Sequence, residues 1–332
     1  MRIGETLPPA VRPLLVRLGV WDRFLAQNHA RSFGIRSAWG HDEPYDNDFI
    51  FNPYGAGWHV DRVAFDAMLA RCAEAAGSRV YRKARPLSCE YERRRWTIDI
   101  GGDDRRRVRA RFLVDATGRA AYAARQQGAK RVSHDSLIGV FFFLAPCPQK
   151  SGSDDSTLIE AVEGGWWYSA VLPDSRLVLA YMTDADLYAR ARKESNDSGL
   201  RQLGKAKHTR ARVDAYLLAN DHLIVPASSS RLDRTATGHW LAIGDAAMAF
   251  DPLSGQGVCK ALDSAFRAAD SIDRYWGGDR MALQQYAVAA GRDFDRYLRA
   301  RQAFYAREGR WPCSPFWRRR ISDTATAEPR ER

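Results

Sequence analysis

Apolar positions recur along the chain at two spacings, one typical of helices and one typical of strands. Helical spacing predicts a short helix that closes near Gly19, and further helices over residues 63–76, 187–193, 213–219, 258–275 and 281–307. Short segments rich in β-branched and aromatic residues predict strands at 79–81, 88–91, 96–100, 108–114, 139–144, 157–161, 166–172, 177–182 and 240–243. The pattern therefore predicts a mixed α/β protein.

The order of these elements predicts an inserted domain. The strands between residues 139 and 182 are separated by short turns and predict an antiparallel sheet, after which the strand at 240–243 returns the chain to the first domain. The predicted units are a first domain in two parts, an inserted sheet domain, and a C-terminal helix with a basic tail. Their bounds are 1–135 and 233–280, 136–232, and 281–332.

Composition and charge narrow the class of protein. The 332 residues are 45% hydrophobic and 27% charged, which excludes wholesale disorder. No apolar run approaches the roughly 20 residues that cross a bilayer, and no signal sequence is evident, so we expect a cytoplasmic protein. The net charge is +11, but the arginine runs at 93–95, 105–107 and 318–320 lie in predicted turns and near the C-terminus. Such runs are typical of solvated surfaces, which makes nucleic-acid binding an unfavoured function.

The cysteines do not predict a metal or disulfide site. There are five, scattered along the chain, with no CxxC pair and no histidine at ligand spacing. We therefore expect no metal and no disulfide framework.

One segment combines a carboxylate with a glycine-rich loop after a predicted strand. The strand at 240–243 is followed at once by Asp245, and residues 251–257 then lead into the long predicted helix. Gly255 and Gly257 let backbone N–H groups approach a ligand closely, and the start of the helix adds partial positive charge. This is the segment of the sequence most typical of a ligand site.

Two interpretations of this segment stay open from its residues. The loop suits a diphosphate or the anionic edge of a reduced flavin, while Asp245 can accept a hydrogen bond from a sugar-like hydroxyl. The alternative is a plain strand, loop and helix with a capped helix N-terminus.

Several motifs occur in a characteristic order along the chain. They are Ile3-Gly4-Glu5-Thr6, Trp58-His59-Val60-Asp61-Arg62, Asp115-Ala116-Thr117-Gly118-Arg119, Gly165-Trp166-Trp167-Tyr168, and Gly244-Asp245-Ala246-Ala247 with Asp251-Pro252 and Gly255-Gln256-Gly257. In this order they resemble the flavoprotein monooxygenases of the hydroxybenzoate hydroxylase type, and especially their tryptophan halogenase-like branch. The resemblance covers about residues 3–262.

The resemblance implies a Rossmann-like FAD-binding domain with an inserted antiparallel sheet that forms the substrate chamber, followed by C-terminal helices. The residues that it assigns to cofactor binding are Arg62, Asp245, Pro252, Gly255, Gln256 and Gly257. Among them, Asp245 would hold the ribityl chain of FAD, the glycines would border the isoalloxazine ring, and Arg62 would lie near the nucleotide half. Trp166 and Tyr168 would line or back the substrate chamber, with core packing as the alternative.

The sequence departs from the family at its start. Family members begin with a strand and a GxGxxG turn that seats the diphosphate, and no GxGxxG occurs in this sequence. We expect one of three explanations: a start placed too late, a truncation that binds FAD poorly, or a second polypeptide that completes the domain.

A second departure concerns the chemistry. Tryptophan halogenases use a lysine and a glutamate at positions where this sequence has Ser32 and Ser254. Serine can neither form a chloramine nor act as a carboxylate base, so halogenation is disfavoured. Hydroxylation of an electron-rich ring needs no such lysine, because the flavin supplies the oxygen chemistry.

The C-terminal region carries a further resemblance. Tyr305, Glu308, the run 310–312 and Phe316-Trp317 resemble the C-terminal signature of halogenase-like flavoproteins that include enzymes modifying tryptophan in a partner protein. The resemblance implies a partner-docking role for this region. The alternative is a tail that packs against its own FAD domain.

Together these observations predict an FAD-dependent monooxygenase that hydroxylates an aromatic substrate, with tryptophan, free or in a partner protein, as the first candidate. NAD(P)H or another protein would supply electrons. Glu5 and His59 are the only candidates for a general acid or base. The rivals are a flavin-dependent double-bond reductase and a truncated, non-catalytic flavoprotein that binds a partner.

Overall fold

The first elements of the chain follow from local signals. The computed structural model describes residues 5–103, 105–149, 156–195, 199–217, 221–321 and 330–331. Its first elements are β1 (Thr6–Leu7), α1 (Val11–Arg17), α2 (Trp21–Leu25), β2 (Ala30–Ser32), β3 (Gly34–Ala38), β4 (Tyr45–Asp48), β5 (Gly57–His59) and α3 (Arg62–Ala75). The helix predicted at 63–76 is confirmed, and Asp61 caps it by accepting hydrogen bonds from the backbone N–H groups of Val63 and Ala64. Strands β1, β5 and β2 form an antiparallel sheet.

A three-stranded antiparallel sheet follows. The next elements are β6 (Arg85–Glu92), β7 (Arg95–Gly101), β8 (Arg106–Ala110) and β9 (Leu113–Asp115). The prediction of one strand over 108–114 is wrong, because β8 pairs with β7 whereas β9 joins a different sheet. The prediction of a strand at 79–81 is also wrong. These residues form an irregular connection, since a strand needs a neighbour with which to exchange backbone hydrogen bonds.

The central part of the chain forms one large sheet with helices beside it. Its elements are α4 (Tyr122–Gln126), β10 (Arg131–Ser133), β11 (Leu137–Pro146), β12 (Thr157–Val162), β13 (Gly165–Val171), β14 (Leu177–Asp184), α5 (Ala185–Ser195), α6 (Leu200–Leu203), α7 (Lys207–Val213), β15 (Tyr216–Leu217) and β16 (Leu223–Pro226). The strand order is β15-β11-β14-β13-β12-β3-β4, and β16 also pairs with β11. Neighbours are antiparallel except β3 and β12, which are parallel. The sheet therefore draws β3 and β4 from the segment 1–135 as well as strands from 136–232.

Both faces of this sheet are covered, which explains its near-continuous apolar strands. Every residue of β14 is buried. One face packs against Tyr305 and Trp317 from the C-terminal helices, and the other packs against Tyr188 and Val213 from α5 and α7. The helix predicted at 213–219 is wrong, because α7 ends at Val213 and β15 follows, paired with the end of β11. Residues 218–220 lie outside the described part of the chain.

The remaining elements follow the large sheet along the chain and end in helices. They are β17 (Ser230–Leu232), β18 (Trp240–Ala242), α8 (Gly244–Ala247), β19 (Met248–Ala249), α9 (Gly257–Trp276), α10 (Ala282–Tyr305), α11 (Pro315–Ile321) and β20 (Arg330–Glu331). Strand β18 lies parallel to β9, and β19, β17, β10 and β20 form a four-stranded sheet. The polar tail predicted at 322–332 lies outside the described residues apart from 330 and 331. Within the described ranges, no helix is both long enough and apolar enough to cross a membrane.

The most buried stripe of α9 is not the apolar one that its periodicity indicates. The apolar residues Val258 and Leu262 are half-buried, whereas Lys260, Ser264 and Ala268 are buried. Apart from Lys260, the side chains on the buried stripe are small, and α9 passes close to α8 at Gly244. The apolar residues Val258 and Leu262 instead pack against the buried cluster formed by α1, α2 and α3.

The C-terminal aromatic signature is part of the protein core. Phe316 and Trp317 are fully buried, and the indole N–H of Trp317 donates to the Val162 carbonyl at 3.0 Å. Glu308 is also fully buried and accepts a 2.7 Å hydrogen bond from the Gly40 N–H. These side chains therefore offer no surface to a partner. These parts of the segment pack within their own chain, against the large sheet and the loop beside Gly40.

Candidate functional site

The parallel strands β9 and β18 end side by side, and an aspartate lies at the end of each. Asp115 is buried and accepts hydrogen bonds from the N–H groups of Thr117 at 2.9 Å and Ala124 at 2.8 Å, so it organises its own turn. Asp245 follows β18 within α8, and 37% of its side chain is exposed. Of the two carboxylates, Asp245 is therefore the one available to a ligand.

The turn that carries Asp245 lies very close to α9. Gly244 has a φ of +55°, and a Cβ at this position would lie 3.3 Å from the Cβ of Ala261. The Gly244 N–H donates to Ser264 Oγ at 2.9 Å. A glycine is needed here for both the backbone conformation and the close approach, and the contact fixes Asp245 relative to the first turns of α9.

The predicted glycine-rich loop lies at the surface, directly before α9. Pro252, Gly255, Gln256 and Gly257 are all exposed, and a Cβ added at either glycine would meet no atom within 4 Å. Gln256 is the N-cap residue of α9 but makes no capping hydrogen bond with its side chain. The start of this 20-residue helix, at its positive end, thus has no side-chain cap from Gln256 and lies beside two glycines that adjoin open space. This arrangement suits an anionic or carbonyl-bearing ligand.

Buried groups hold the first residue of this loop in place. Asp251 is 1% exposed, and its Oδ2 accepts hydrogen bonds from the Tyr305 hydroxyl at 2.8 Å and Arg301 Nε at 3.1 Å. Its N–H donates to the hydroxyl of Tyr297 at 2.6 Å. Burial raises the pKa of Tyr305 well above its usual range, so this hydroxyl keeps its proton as the donor.

The same arginine joins the loop to the large sheet. Arg301 forms a second ion pair with Asp135, at 3.0 Å, just before β11. Burial would raise the pKa of Asp135, but Arg301 and Arg320 together hold this pKa below its usual value. Helix α10 therefore fixes the loop and the sheet with respect to each other.

A buried lysine lies behind Asp245. Lys260 Nζ donates to Asp245 Oδ1 at 2.6 Å and to the Met248 carbonyl at 2.5 Å, and it lies 4.5 Å from the ring centroid of Phe250. Only 5% of its side chain is exposed, and burial lowers its pKa although Asp245 opposes this effect. The ammonium group is thus surrounded by an anion, a carbonyl and an aromatic face.

Two arginines complete the surroundings of Asp245. Arg119 Nε lies 3.8 Å from Asp245 Oδ2, and another of its nitrogens donates to the Phe250 carbonyl at 3.0 Å. Arg131 donates to the backbone carbonyls of Asp245 and Ala246 at 3.1 and 2.9 Å. Burial, together with the charge of Arg119, lowers the pKa of Arg131 to about 10. Asp245 therefore lies among three cationic side chains.

Arg62, the other residue assigned to the cofactor, is placed at the start of α3. Its guanidinium pairs with Asp66 one turn later at 3.3 Å, and 17% of the side chain is exposed. Phe65 of the same helix packs in one apolar cluster with Val258 of α9. The structure thus brings α3 and the start of α9 into the same apolar cluster.

The aromatic residues of β13 differ in their surroundings. Trp166 is 1% exposed, packs against Trp39, and donates its indole N–H to the Tyr305 hydroxyl at 3.0 Å. Tyr168 is partly buried, hydrogen bonds to Thr6 Oγ1 at 2.5 Å, and has a pKa raised by burial. Trp166 lies in the core behind the loop, and Tyr168 is the more accessible of the two.

The candidate acid and base residues are buried. Glu5 is 3% exposed, and His59 is 1% exposed with its Nε2 3.1 Å from Thr157 Oγ1. Ser32 is fully buried, and its hydroxyl donates to the Gly34 carbonyl at 3.4 Å. Ser254 donates its hydroxyl to the Asp251 carbonyl at 2.9 Å. Both serines thus satisfy backbone carbonyls.

Sequence reasoning did not find the side chains that support the site. Lys260, Arg301 and Tyr305 lie 15 or more residues from Asp245 along the chain, and their partners are set by the packing of helices. One signal was present for Lys260. Lys260 lies on one helical stripe with the small residues Ser264 and Ala268, a spacing typical of a close contact between helices. A lysine buried in such a contact requires an anion as its partner.

Residues 9–288 match the protein family described as FAD binding domain. The chain is 27% identical to LodB of Marinomonas mediterranea, which is named as an FAD-dependent oxidoreductase, over 98% of this chain and 88% of that protein. It is 25% identical to a tryptophan 2-halogenase of Chondromyces crocatus, over 83% of this chain and 55% of that protein. The chain therefore spans nearly all of one relative and little more than half of the other.

Solved structures show the same fold. The flavin-dependent halogenase CmlS superposes with a TM-score of 0.85 at 24% identity, over 96% of this chain and 60% of that chain. QhpG, a peptidyl tryptophan dihydroxylase essential for tryptophylquinone cofactor biogenesis, superposes with a TM-score of 0.78 at 24% identity, over 95% of this chain and 69% of that chain. The predicted fold class and the predicted resemblance to halogenase-like flavoproteins are thereby confirmed.

Proposed function

Because the chain belongs to the FAD binding domain family, we propose that it is an FAD-dependent monooxygenase that hydroxylates an aromatic substrate, with a tryptophan side chain in a partner protein as the first candidate. FAD fits the loop because Gly255 and Gly257 leave open space beside the uncapped start of α9. When bound and reduced, FAD would supply the activation of O2.

The residues of the chain would bind and orient the cofactor. The N–H groups of the first turn of α9 would bind the electron-rich edge of the ring, where the helix dipole favours negative charge. Asp245 would accept a hydrogen bond from a ribityl hydroxyl, and Arg62 would lie toward the nucleotide half. The walls of the large sheet near Tyr168 would bind the substrate and exclude water.

One observation carries the choice of hydroxylation over halogenation. The two positions that resemble the halogenase lysine and glutamate are Ser32 and Ser254, and both hydroxyls donate to backbone carbonyls. Among the described lysines only Lys260 is buried, and it is already paired with Asp245. The site thus offers no amine or carboxylate for halogen chemistry at these positions, although halogenases are frequent among its relatives.

The partner-borne substrate is supported by one relative of the same fold. QhpG is a peptidyl tryptophan dihydroxylase, and its structure superposes on 95% of this chain. The overall reaction balances as one aromatic C–H converted to C–OH, with the second oxygen atom of O2 leaving as water and NAD(P)H supplying two electrons.

Incubation with FAD, NADPH, chloride and ¹⁸O2 tests the proposal, using free tryptophan and a tryptophan-containing polypeptide as substrates. Mass spectrometry should find one or more ¹⁸O atoms in the aromatic product. A chlorinated product would overturn hydroxylation in favour of halogenation. NADPH oxidation with a reduced substrate and no ¹⁸O would instead identify a double-bond reductase.

A further inference from the structure

We propose that Lys260 is a positioning residue for FAD, which acts by holding the Asp245 carboxylate at a fixed place relative to the first turn of α9. This inference rests on the proposed contact of Asp245 with the cofactor. It assigns a role to a buried cation that the proposed reaction itself does not use.

The contacts of Lys260 place it between two parts of the site. Its Nζ donates to Asp245 Oδ1 at 2.6 Å and to the Met248 carbonyl at 2.5 Å. Its own backbone lies in the first turn of α9, three residues after Gly257. One side chain therefore joins the carboxylate to the helix start that would bind the flavin ring.

The ion pair is asymmetric in its exposure. The Lys260 side chain is 5% exposed and the Asp245 side chain is 37% exposed, so the cation lies inside and the carboxylate has an open side. Arg119 approaches the second carboxylate oxygen only to 3.8 Å. A carboxylate accepts about four hydrogen bonds, so Asp245 keeps acceptor capacity for a ligand hydroxyl while Lys260 fixes its orientation.

Fold stability alone does not account for a charge at this position. A buried ammonium loses its hydration, and replacing a buried ion pair with apolar residues is often neutral or stabilising. The contact between α8 and α9 is already secured by the Gly244 N–H bond to Ser264 Oγ and by the close approach of Ala261. The charge of Lys260 is therefore best explained by what it does for Asp245.

A double-mutant cycle on the full chain tests this role. FAD dissociation constants are measured by quenching of flavin fluorescence for wild type, Lys260→Met, Asp245→Asn and the double variant. We expect Lys260→Met to weaken FAD binding about tenfold, the range of one charged hydrogen bond. In the Asp245→Asn background the same substitution should have no further effect, since its target is already lost.

Two controls separate positioning from folding. Thermal unfolding of the flavin-free proteins should show that Lys260→Met stays folded, and Lys260→Gln provides a second, uncharged variant that keeps a donor for the Met248 carbonyl. Lys193→Met, on an exposed lysine of α5, should leave FAD binding unchanged.

The outcomes distinguish the inference from the proposal on which it rests. Unchanged FAD affinity in both Lys260 variants, or an equal loss in the presence and absence of the Asp245 carboxylate, would overturn the positioning role. Unchanged affinity in Asp245→Asn itself would overturn the proposed cofactor contact. Weaker FAD binding in both single variants, with no further loss when Lys260→Met is added to Asp245→Asn, supports both.

Discussion

The hydroxyl of Tyr305 donates a 2.8 Å hydrogen bond to Asp251 Oδ2, which joins helix α10 to the first residue of the glycine-rich loop. The same hydroxyl accepts the indole N–H of Trp166 at 3.0 Å. One buried oxygen atom thus connects the large sheet, the C-terminal helix and the loop before α9. The position of this loop depends on residues that are remote from it in sequence.

Tyr305→Phe should destabilise the protein. It leaves the Trp166 N–H without its acceptor and removes one donor from Asp251, both in the core. We expect a loss of about 1–3 kcal/mol in the free energy of unfolding, measured with urea. Tyr286→Phe is the matched control, because it removes one hydrogen bond to the Ala242 carbonyl and should cost less. Equal costs for the two variants would argue against a special role for Tyr305.

Gly257→Ala should separate cofactor binding from stability. A Cβ at Gly257 meets no atom of the chain, and alanine favours a helix, so the flavin-free protein should be equally stable or up to about 1 kcal/mol more stable. FAD affinity should fall, because the new methyl group would lie in the space offered to the ring. Gly291→Ala in α10 is the matched control, because a Cβ there also meets no atom of the chain within 4 Å. It should change stability by a similar amount and leave FAD affinity unchanged. Identical FAD affinities in both variants would place the ring elsewhere.

Glu308→Gln should loosen the C-terminal segment. Glu308 is fully buried and accepts hydrogen bonds from the Gly40 N–H at 2.7 Å and from Arg310 at 2.6 Å. The neutral amide would weaken the charge-assisted hydrogen bonds from Arg310 and Gly40, although Arg310 keeps its ion pair with Asp42, at a cost of about 2 kcal/mol in urea unfolding. Glu163→Gln breaks an exposed pair with Lys205 and should change stability by less than about 0.5 kcal/mol. A small effect at both sites would show that the segment is not anchored through Glu308.

Alkaline pH should weaken the fold through its buried tyrosines. Burial raises the pKa values of Tyr168, Tyr286, Tyr297 and Tyr305 above the usual value. In the unfolded chain these hydroxyls ionise near pH 10. The contribution of these tyrosines to the free energy of unfolding is therefore fully present below about pH 10. It is lost as the pH rises toward the pKa values of the folded state.

Urea unfolding at about pH 8 and about pH 10.5 measures this loss. Tyr286→Phe should reduce the dependence on pH, whereas Tyr54→Phe, at a residue that is 45% exposed, should leave it unchanged. The absorbance of tyrosinate should also show a group of tyrosines that titrates only on unfolding. Titration of every tyrosine near pH 10 in the folded protein would contradict the expectation.

Elements with strong local signals were predictable. The helix α3 has an apolar stripe and a capping aspartate, and β11 to β14 are apolar runs bounded by turns, so all of them appear near the predicted positions. Predictions failed where the structure of a segment depends on the strand with which it pairs. Residues 108–114 divide between two sheets, and residues 216–217 form a strand because the end of β11 offers them hydrogen bonds.

Part of the candidate site could also be predicted from local sequence. Asp245 and the loop 251–257 are close in sequence and follow a strand, so their order already indicated a ligand site. Nothing local indicated that Asp251 is held by Arg301 and Tyr305 from α10. The sequence of the C-terminal aromatic signature also did not show whether it packs into the core or binds a partner, because apolar side chains occur in both cores and interfaces.

The sequence by itself determined the α/β class, the order of the elements and the strand, loop and helix that form the candidate site, because these depend on periodicity and on glycines within short stretches. Only the tertiary structure decided which face of α9 is buried, that Lys260 lies behind Asp245, and that the C-terminal helices close over the large sheet. The reason is physical. Burial makes a charged or polar side chain depend on a specific partner, and that partner is chosen by packing between distant segments rather than by their local sequence.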